Sequence, residues 1–364
     1  AEKWAVRRIR RPKKAVETRM IRMEEAHIDG TVIREAGRIL REGGLVAFPT
    51  ETVYGLGGDA LNPQSSRKIY AAKGRPSDNP LIIHIADLDA LGLIVREIPE
   101  CAVRLAERFW PGPLTMILHK SERVPYETTG GLDTVAVRMP VNRTARELIR
   151  AAGGYVAAPS ANRSGRPSPT AARYVAEDLD GRVEMIIDGG DAPIGLESTI
   201  VDLTSDRPMV LRPGYITRQQ LEEVLSQVEE DSTLMRDDSG QAPKAPGMKY
   251  RHYAPKGDLT IVRGTQEAVT AYINARCQES KEKNKKTGVI GSGAVSGKYH
   301  ADVCKSVGER GDEEAAAREL YRILREFDDE CVEVIYAEAF AESGVGRAVM
   351  NRLLKAAGYR VEEV

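Results

Sequence analysis

Four short segments carry polar side chains at spacings that could do chemistry. In Phe48-Pro49-Thr50-Glu51-Thr52-Val53-Tyr54-Gly55 an apolar run enters a Thr-rich turn. Extended backbone puts residues two apart on one face, so Thr50, Thr52 and Tyr54 would present their hydroxyls together, a capping turn being the alternative use of such threonines. In Lys73-Gly74-Arg75-Pro76-Ser77-Asp78-Asn79-Pro80 the prolines and glycine argue against helix, so Lys73 and Arg75 are expected to project from a stiff loop. A lysine point charge beside a planar arginine fork can hold a triphosphate without a Gly-rich cradle. Arg138 falls in the apolar strand pattern Thr134-Val135-Ala136-Val137-Arg138-Met139, on the face of Thr134 and Ala136, where its guanidinium needs a carboxylate partner from the protein or from a substrate.

The fourth segment, Ala157-Ala158-Pro159-Ser160-Ala161-Asn162-Arg163-Ser164-Gly165-Arg166-Pro167-Ser168, ends a strand in a Ser/Asn-rich loop. Ser160 and Asn162 share a face with no neighbouring histidine to make a nucleophile of the serine, so they read as positioning donors. Glu197-Ser198-Thr199 and Leu211-Arg212-Pro213-Gly214 each set a polar group at a strand end, and His84, inside Leu81-Ile82-Ile83-His84-Ile85, reads from its neighbours as a satisfied core histidine. The chain has no HExxH and no CxxC, and a zinc site would have to be assembled from scattered residues. Cations and hydroxyls without a Ser-His-Asp set or a Cys-His pair suit phosphorus chemistry by positioning and charge stabilisation, in which the substrate brings its own nucleophile.

The elements that must position these groups follow from apolar spacing, which predicts helices over residues 31–41, 101–109, 143–152 and 170–178. Compact apolar runs at 45–48, 81–85, 114–118, 134–139, 155–158, 185–187, 199–203 and 209–211 predict strands. Several strands follow one another through short turns, which favours a twisted, mixed α/β sheet over residues 28–228. Residues 229–256 have linker composition, yet Tyr250, His252 and Tyr253 make the segment too aromatic for an inert spacer. Beyond it, strands at 259–262, 287–291 and 332–337 alternate with helices at 265–278, 313–326 and 347–357, the pattern of a small Rossmann-like domain over residues 257–364. Gly291-Ser292-Gly293-Ala294-Val295-Ser296-Gly297-Lys298-Tyr299 approaches both GxGxxG and a Walker loop and satisfies neither. Ser296 stands at the third glycine, the spacing to Gly-Lys is one too long, and Tyr299 replaces the magnesium-binding hydroxyl.

The 364 residues exceed what one core usually serves, and 53 Lys and Arg against 54 Asp and Glu give a net charge of -1, so any nucleic-acid contact must be local. Residues 1–27 are expected to be a basic tail: nine Lys and Arg stand between Ala1 and Arg22 without the apolar core of a secretory signal. Either a frayed end or an RNA-touching arm fits. No apolar run reaches the ~20 residues of a membrane span. Four scattered cysteines suit a reducing compartment, so a cytoplasmic protein is expected.

Phe48 to Gly57, Lys73-Gly74-Arg75 with Asp78-Asn79-Pro80-Leu81, Trp110-Pro111-Gly112-Pro113-Leu114-Thr115, Ala136 to Pro140 and Pro159-Ser160-Ala161-Asn162 together resemble the YrdC/Sua family over about Ile28 to Thr217. Lys73, Arg75, Ser160 and Asn162 fall on its Lys-x-Arg and Ser-x-Asn signature, and His252-Tyr253-Ala254-Pro255 with the following domain is similar to the two-domain Sua form. The resemblance implies threonylcarbamoyl-AMP synthase activity: L-threonine, bicarbonate or CO2, and ATP give the adenylate and pyrophosphate. A separate threonylcarbamoyl transferase then modifies adenosine beside the anticodon of certain tRNAs. It further implies threonine contacts from Thr52, His84, Arg138, Ala158 and Ser198, with Arg138 on the carboxylate and Thr50 assisting. Arg75, Asn79, Thr134, Ser160, Ser168, Arg212, His252 and Tyr253 would hold ATP, Lys73 would steady charge at the α-phosphate, and Mg2+ would arrive on the phosphates. A noncatalytic RNA-binding module is the alternative from another class. A carbamoyl-adenylate enzyme of hydrogenase maturation would be expected to carry acylphosphatase and zinc-finger-like segments, which this chain lacks. Because the carbamate and the mixed anhydride hydrolyse readily, the linker aromatics are expected to fold over the site, anchored by the second domain.

Overall fold

The computed structural model describes residues 16–236, 245 and 252–364. Residues 1–15, most of the expected basic tail, lie outside the described part, as do Tyr250 and Arg251 of the linker. The larger unit is a mixed sheet of eleven strands. Its middle runs Val46–Phe48, Gly55–Asp59, Val156–Ala157, Ile82–His84, Thr134–Arg138, Leu114–His119, Thr199–Asp202. Parallel and antiparallel neighbours are interspersed, as short turns between successive strands require. The central strands are buried on both faces and read as continuous apolar runs, except Gly55–Asp59, whose Gly-Leu-Gly-Gly-Asp sequence reads as the end of a turn and predicts no strand; helices such as Gly30–Arg41 and Arg143–Ala151 cover one face.

Three local expectations need correction. Arg19–Arg22, placed in the tail, is an edge strand paired in parallel with Met185–Asp188: Ile21 supplies apolar contact on that edge and Arg22 reaches Asp188 at 3.6 Å. At the opposite edge, Glu229–Glu230, read as linker, pairs with Met209 and Val210. Lys73 does not project from a loop but ends the helix Pro63–Lys73, which Asn62 caps and Pro63 opens, and Gly74 closes it in the left-handed conformation at φ 62°. The glycine and prolines that argued against helix stand immediately past its last turn.

The smaller unit is a five-stranded, all-parallel sheet in the order Val303–Ser306, Thr287–Gly291, Val334–Glu338, Asp258–Arg263, Val361–Glu363. The fourth strand along the chain lies between the second and the first, so the βαβ series is as expected while the strand order departs from the dinucleotide-binding one. Lys298, the lysine of the Walker-like run, donates to the buried Glu338 at 2.6 Å, so a protein carboxylate occupies the charge a phosphate would need. No helix among the described residues is long and apolar enough to cross a membrane. The four cysteines are free.

Buried polar contacts join the two units. Arg325, 1 % exposed, donates to both oxygens of Asp178 at 3.0 and 2.8 Å and twice to the carbonyl of Pro167. Asn351 donates to the Leu234 carbonyl at 2.5 Å, and Tyr321 and Arg352 both reach Glu197.

Candidate functional site

A cleft opens where the ends of these strands meet the helix-ending Lys73 and the linker. Of the residues expected at a site from sequence, Thr50, Thr52, Lys73, Arg75, His84, Arg138, Ala158, Ser160, Asn162, Ser198, Arg212, His252 and Tyr253 line it. Asn79, Thr134 and Ser168 do not. Thr134 begins the strand that Arg138 ends, four residues or roughly 13 Å away along extended backbone. Ser168 sits behind the wall, its hydroxyl on Glu197 Oε1 at 2.5 Å. Asn79 is fully buried beside Arg75, and neither polar atom of its side chain has a partner.

On one side, Thr50 and Thr52 hydroxyls meet at 2.9 Å, but the expected third hydroxyl is elsewhere: residues 50–54 bend, and the Tyr54 hydroxyl donates to Gly190 O and accepts from Gly189 N. Arg138 has found a protein carboxylate, donating through Nη2 to Glu51 Oε1 at 2.6 Å and through Nη1 to Thr52 Oγ1 at 2.8 Å, while its buried Nε has no partner. His84, paired alongside Arg138 by the parallel register of their strands, has its pKa pushed down to about 3 by burial and then by Arg138, so the imidazole is neutral. Its Nδ1 lies 3.2 Å from the Ile82 carbonyl.

On the other side, the Lys73 ammonium is held by the Ser160 carbonyl, the Asn162 carbonyl at 2.7 Å and the Asn162 side-chain oxygen at 3.3 Å. Burial and then Arg75 pull its pKa well below the ordinary lysine range. The Asn162 amide donates to Arg163 O and Arg166 O, so Asn162 braces its loop and Lys73 rather than presenting a donor to the cleft. Arg75, its pKa lowered to about 10 chiefly by burial, leans on the Pro80 carbonyl at 3.1 Å, with Nε unpartnered. Arg212 donates to Ser198 O at 2.9 Å and Ser198 Oγ at 3.1 Å, and burial lowers its pKa too. Of the cations in the lining, Arg138 is paired with Glu51 and Arg166 with Asp178 and Asp328, while Lys73, Arg75 and Arg212 rest against uncharged oxygens; Glu197 is the one carboxylate in the lining. That excess of buried positive charge, with orphaned polar atoms beside it, calls for an anionic ligand.

Glu197, Arg166, Ser164 and Val53 also line the cleft, although sequence reasoning gave them no place in it, and Glu51, Tyr321 and Arg352 stand behind. Glu51 lies between the two threonines of the turn, and only its pairing with Arg138 reveals its part. Glu197 stands next to Ser198 in the sequence; nothing but tertiary structure brings Tyr321 and Arg352 to it. Among the described residues no three His, Cys, Asp or Glu side chains gather as metal ligands.

A mixed sheet bearing a cation-lined cleft, with a parallel-sheet domain packed against that cleft's wall, defines a two-domain α/β class whose cleft is built for anionic groups. A family model described as telomere recombination matches residues 38–214, and one described as the threonylcarbamoyl-AMP synthase C-terminal domain matches residues 216–358. The threonylcarbamoyl-AMP synthase of Pyrococcus abyssi is 51% identical over 332 residues, covering 91% of this chain and 96% of that protein. The Bacillus subtilis one is 48% identical over 339 residues, 93% and 96% respectively. The crystal structure of P. abyssi Sua5 complexed with L-threonine superposes with a TM-score of 0.89 at 50% identity, over 95% of this chain and 99% of that one. The chain belongs to the threonylcarbamoyl-AMP synthase family, in its two-domain form.

Proposed function

We propose that this chain makes threonylcarbamoyl-AMP from L-threonine, bicarbonate or CO2, and ATP, releasing pyrophosphate, and that its product serves a transferase modifying tRNA adenosine beside the anticodon. The observation that carries the reading is one cleft whose lining joins two unlike sets of groups. Arg138, Thr52, His84, Ala158 and Ser198 make a pocket for a hydroxylated amino acid, with Thr50 supporting it; Lys73, Arg75, Arg212 and Ser160 make a seat for phosphates. The threonine carboxylate takes the place beside Arg138 where Nε is still unpartnered. The amine adds to CO2, or to bicarbonate with loss of water, giving a carbamate. A carbamate oxygen then attacks the α-phosphorus of ATP, and the bond to the pyrophosphate oxygen breaks. No protein nucleophile takes part, and Lys73 and Arg75 stabilise charge building on the phosphates.

Magnesium enters on the substrate phosphates and not as a resident ion: Glu51 and Glu197, the carboxylates nearest the cleft, are both bound to arginines. Catalysis on this reading belongs to residues 28–228. The linker residues His252 and Tyr253 line the cleft, the Tyr253 ring tilted against Tyr321 of the 257–364 domain with centroids 5.2 Å apart, and on this reading they close the site over its water-sensitive intermediates. The free cysteines fit a cytoplasmic enzyme. The test is pyrophosphate release from ATP with and without L-threonine and bicarbonate, with the adenylate followed by mass spectrometry. Release independent of threonine, or none, refutes the proposal; steeply salt-dependent tRNA affinity without threonine-dependent ATP consumption would instead favour an RNA-binding module.

A further inference from the structure

The helices Glu313–Asp329 and Gly344–Ala356 of the C-terminal domain send two buried side chains to the one carboxylate that lines the cleft. Tyr321 donates its hydroxyl to Glu197 at 2.9 Å from Oε2 and 3.2 Å from Oε1, and Arg352, fully buried, donates Nε to Oε2 at 2.9 Å. The same guanidinium donates through Nη1 to the Pro213 carbonyl at 2.8 Å and through Nη2 to the Glu197 carbonyl at 3.4 Å. It therefore ties two chain segments together. Glu197 and Ser198 lead into the strand Thr199–Asp202, and Pro213 follows the strand that Arg212 ends. Between them Arg212 donates twice to Ser198, and Ser198 Oγ meets Thr115 Oγ1 at 2.7 Å. Arg352 also lies against the Tyr253 ring, 5.9 Å from its centroid.

We propose that Arg352 and Tyr321, from the C-terminal domain, are positioning residues of the catalytic cleft: acting through Glu197 and the Pro213 carbonyl, they fix where Arg212 and Ser198 present their groups to the nucleotide and the amino acid. This rests on the function proposed above for the cleft. A tie between domains would need none of these contacts with the lining, because Arg347 on Glu230, at 2.7 Å, already joins the units away from it. Without Arg352 and Tyr321, Glu197 would be a buried carboxylate free to turn onto Arg212 and withdraw it from substrate. The charged and titratable groups around Glu197 are Arg352, Arg212, Lys355, Lys73, Tyr321 and Tyr253, with Ser168 as a further donor. Burial alone would raise its pKa; Arg352 and Arg212 hold it at about 2.

The test compares Tyr321→Phe, Arg352→Lys, Arg352→Ala and the interface control Arg347→Ala in the full chain, each assayed for KM and kcat of threonine-dependent pyrophosphate release, its pH profile, and thermal melting. Tyr321→Phe should raise the KM for ATP about 3- to 10-fold and move the acid limb of the profile to higher pH. Arg352→Ala should lose about 30-fold or more in kcat/KM for ATP, with Arg352→Lys recovering part of it. Arg347→Ala should change melting alone. If Tyr321→Phe and Arg352→Lys keep both KM values, kcat and the acid limb while only melting falls, the cluster is a domain tie and the proposal is wrong; these two variants decide the matter should Arg352→Ala not fold. A wild type that releases no pyrophosphate with threonine would sink the functional reading instead, and calorimetric ATP binding by the same variants would then decide the positioning role, equal affinities rejecting it.

Discussion

Replacing Arg138 with lysine separates the charge of that residue from its shape. At rest the guanidinium spans Glu51 at 2.6 Å and Thr52 at 2.8 Å, all but buried, with Nε aimed at no protein atom. Removing the side chain would strand the Glu51 carboxylate, a loss of about 3–5 kcal/mol that would obscure any effect on binding. Lysine retains a positive charge within reach of Glu51 but cannot offer a planar fork to Glu51, Thr52 and an incoming carboxylate together. What the variant gives up is one charge-assisted hydrogen bond to threonine, worth about 1.5–3 kcal/mol, so the KM for threonine should rise about 10- to 150-fold. The KM for ATP, assigned to Lys73, Arg75 and Arg212, should move less than about threefold. Glu51→Gln is the converse: it neutralises the internal rival for the guanidinium, and the KM for threonine should fall. The assay is pyrophosphate release with one substrate varied at a time, alongside a melting curve. A folded Arg138→Lys enzyme with an unchanged threonine KM, or an ATP KM that rises equally, refutes the assignment of Arg138 to the amino acid.

Lys73→Ala and Arg75→Ala should each cut adenylate formation at least ~10²-fold while the protein still folds, measured as single-turnover pyrophosphate release; near-normal rates in both would remove the phosphate seat. Glu197, ordinarily 4.5 and held at about 2, stabilises the fold by about 3 kcal/mol above pH 4.5, and that contribution is lost as the pH falls from 4.5 toward 2. Denaturant midpoints across that window should slope less in Glu197→Gln than in the wild type, and equal slopes would contradict the cause assigned to the shift. Lys298→Ala, which leaves Glu338 to Tyr299, Arg310 and the Ser292 N–H, should leave the KM for ATP within about twofold, since that Walker-like run makes its bonds to protein; a large rise would reinstate it as a nucleotide loop. Arg325→Ala removes a bidentate buried pair with Asp178 and should cost about 3–5 kcal/mol of stability, read as a lowered unfolding midpoint.

How much of the fold and the cleft is legible in the chain divides by the range of the interaction. Apolar runs mark the central strands other than glycine-rich Gly55–Asp59, because a strand buried on both faces leaves no other pattern, and the βαβ series after residue 257 follows from alternation, apart from the short edge strands Val303–Ser306 and Val361–Glu363, which carry no such run. The helix Pro63–Lys73 carries Asn62-Pro63 and Gly74 at its two ends, but its Ser- and Lys-containing turns show little apolar periodicity and the breakers just beyond it dominate the local pattern. Thr50 and Thr52 do meet, yet the bend that brings them together carries Tyr54 away to Gly189 and Gly190, and period-two spacing cannot report a bend. Glu51 as the partner of Arg138, and Arg352 as the partner of Glu197 155 residues earlier, depend on which strand lies beside which and which helix packs on it. No local pattern encodes either.

The resting contacts explain how so many cations can wait in one cleft. Lys73 leans on two carbonyls and an amide oxygen, Arg75 on the carbonyls of Asn79 and Pro80, and Arg212 on a carbonyl and a hydroxyl. These contacts are to neutral dipoles, which hold a charge in place without cancelling it. On the proposed function a phosphate arriving among them would meet donors already aimed, and little would have to reorganise as negative charge builds at phosphorus. A carboxylate in the same position would defeat this by forming an ion pair that the nucleotide would have to break. Glu197, the one carboxylate in the lining, stands next to Arg212 and would do so if it were free to choose its partner. An arginine supplied from outside the catalytic sheet, Arg352, engages it instead. On the positioning role proposed for Arg352, the second domain contributes to the cleft, beside the contact of Tyr321 with Tyr253, the neutralisation of a carboxylate that would compete with the nucleotide.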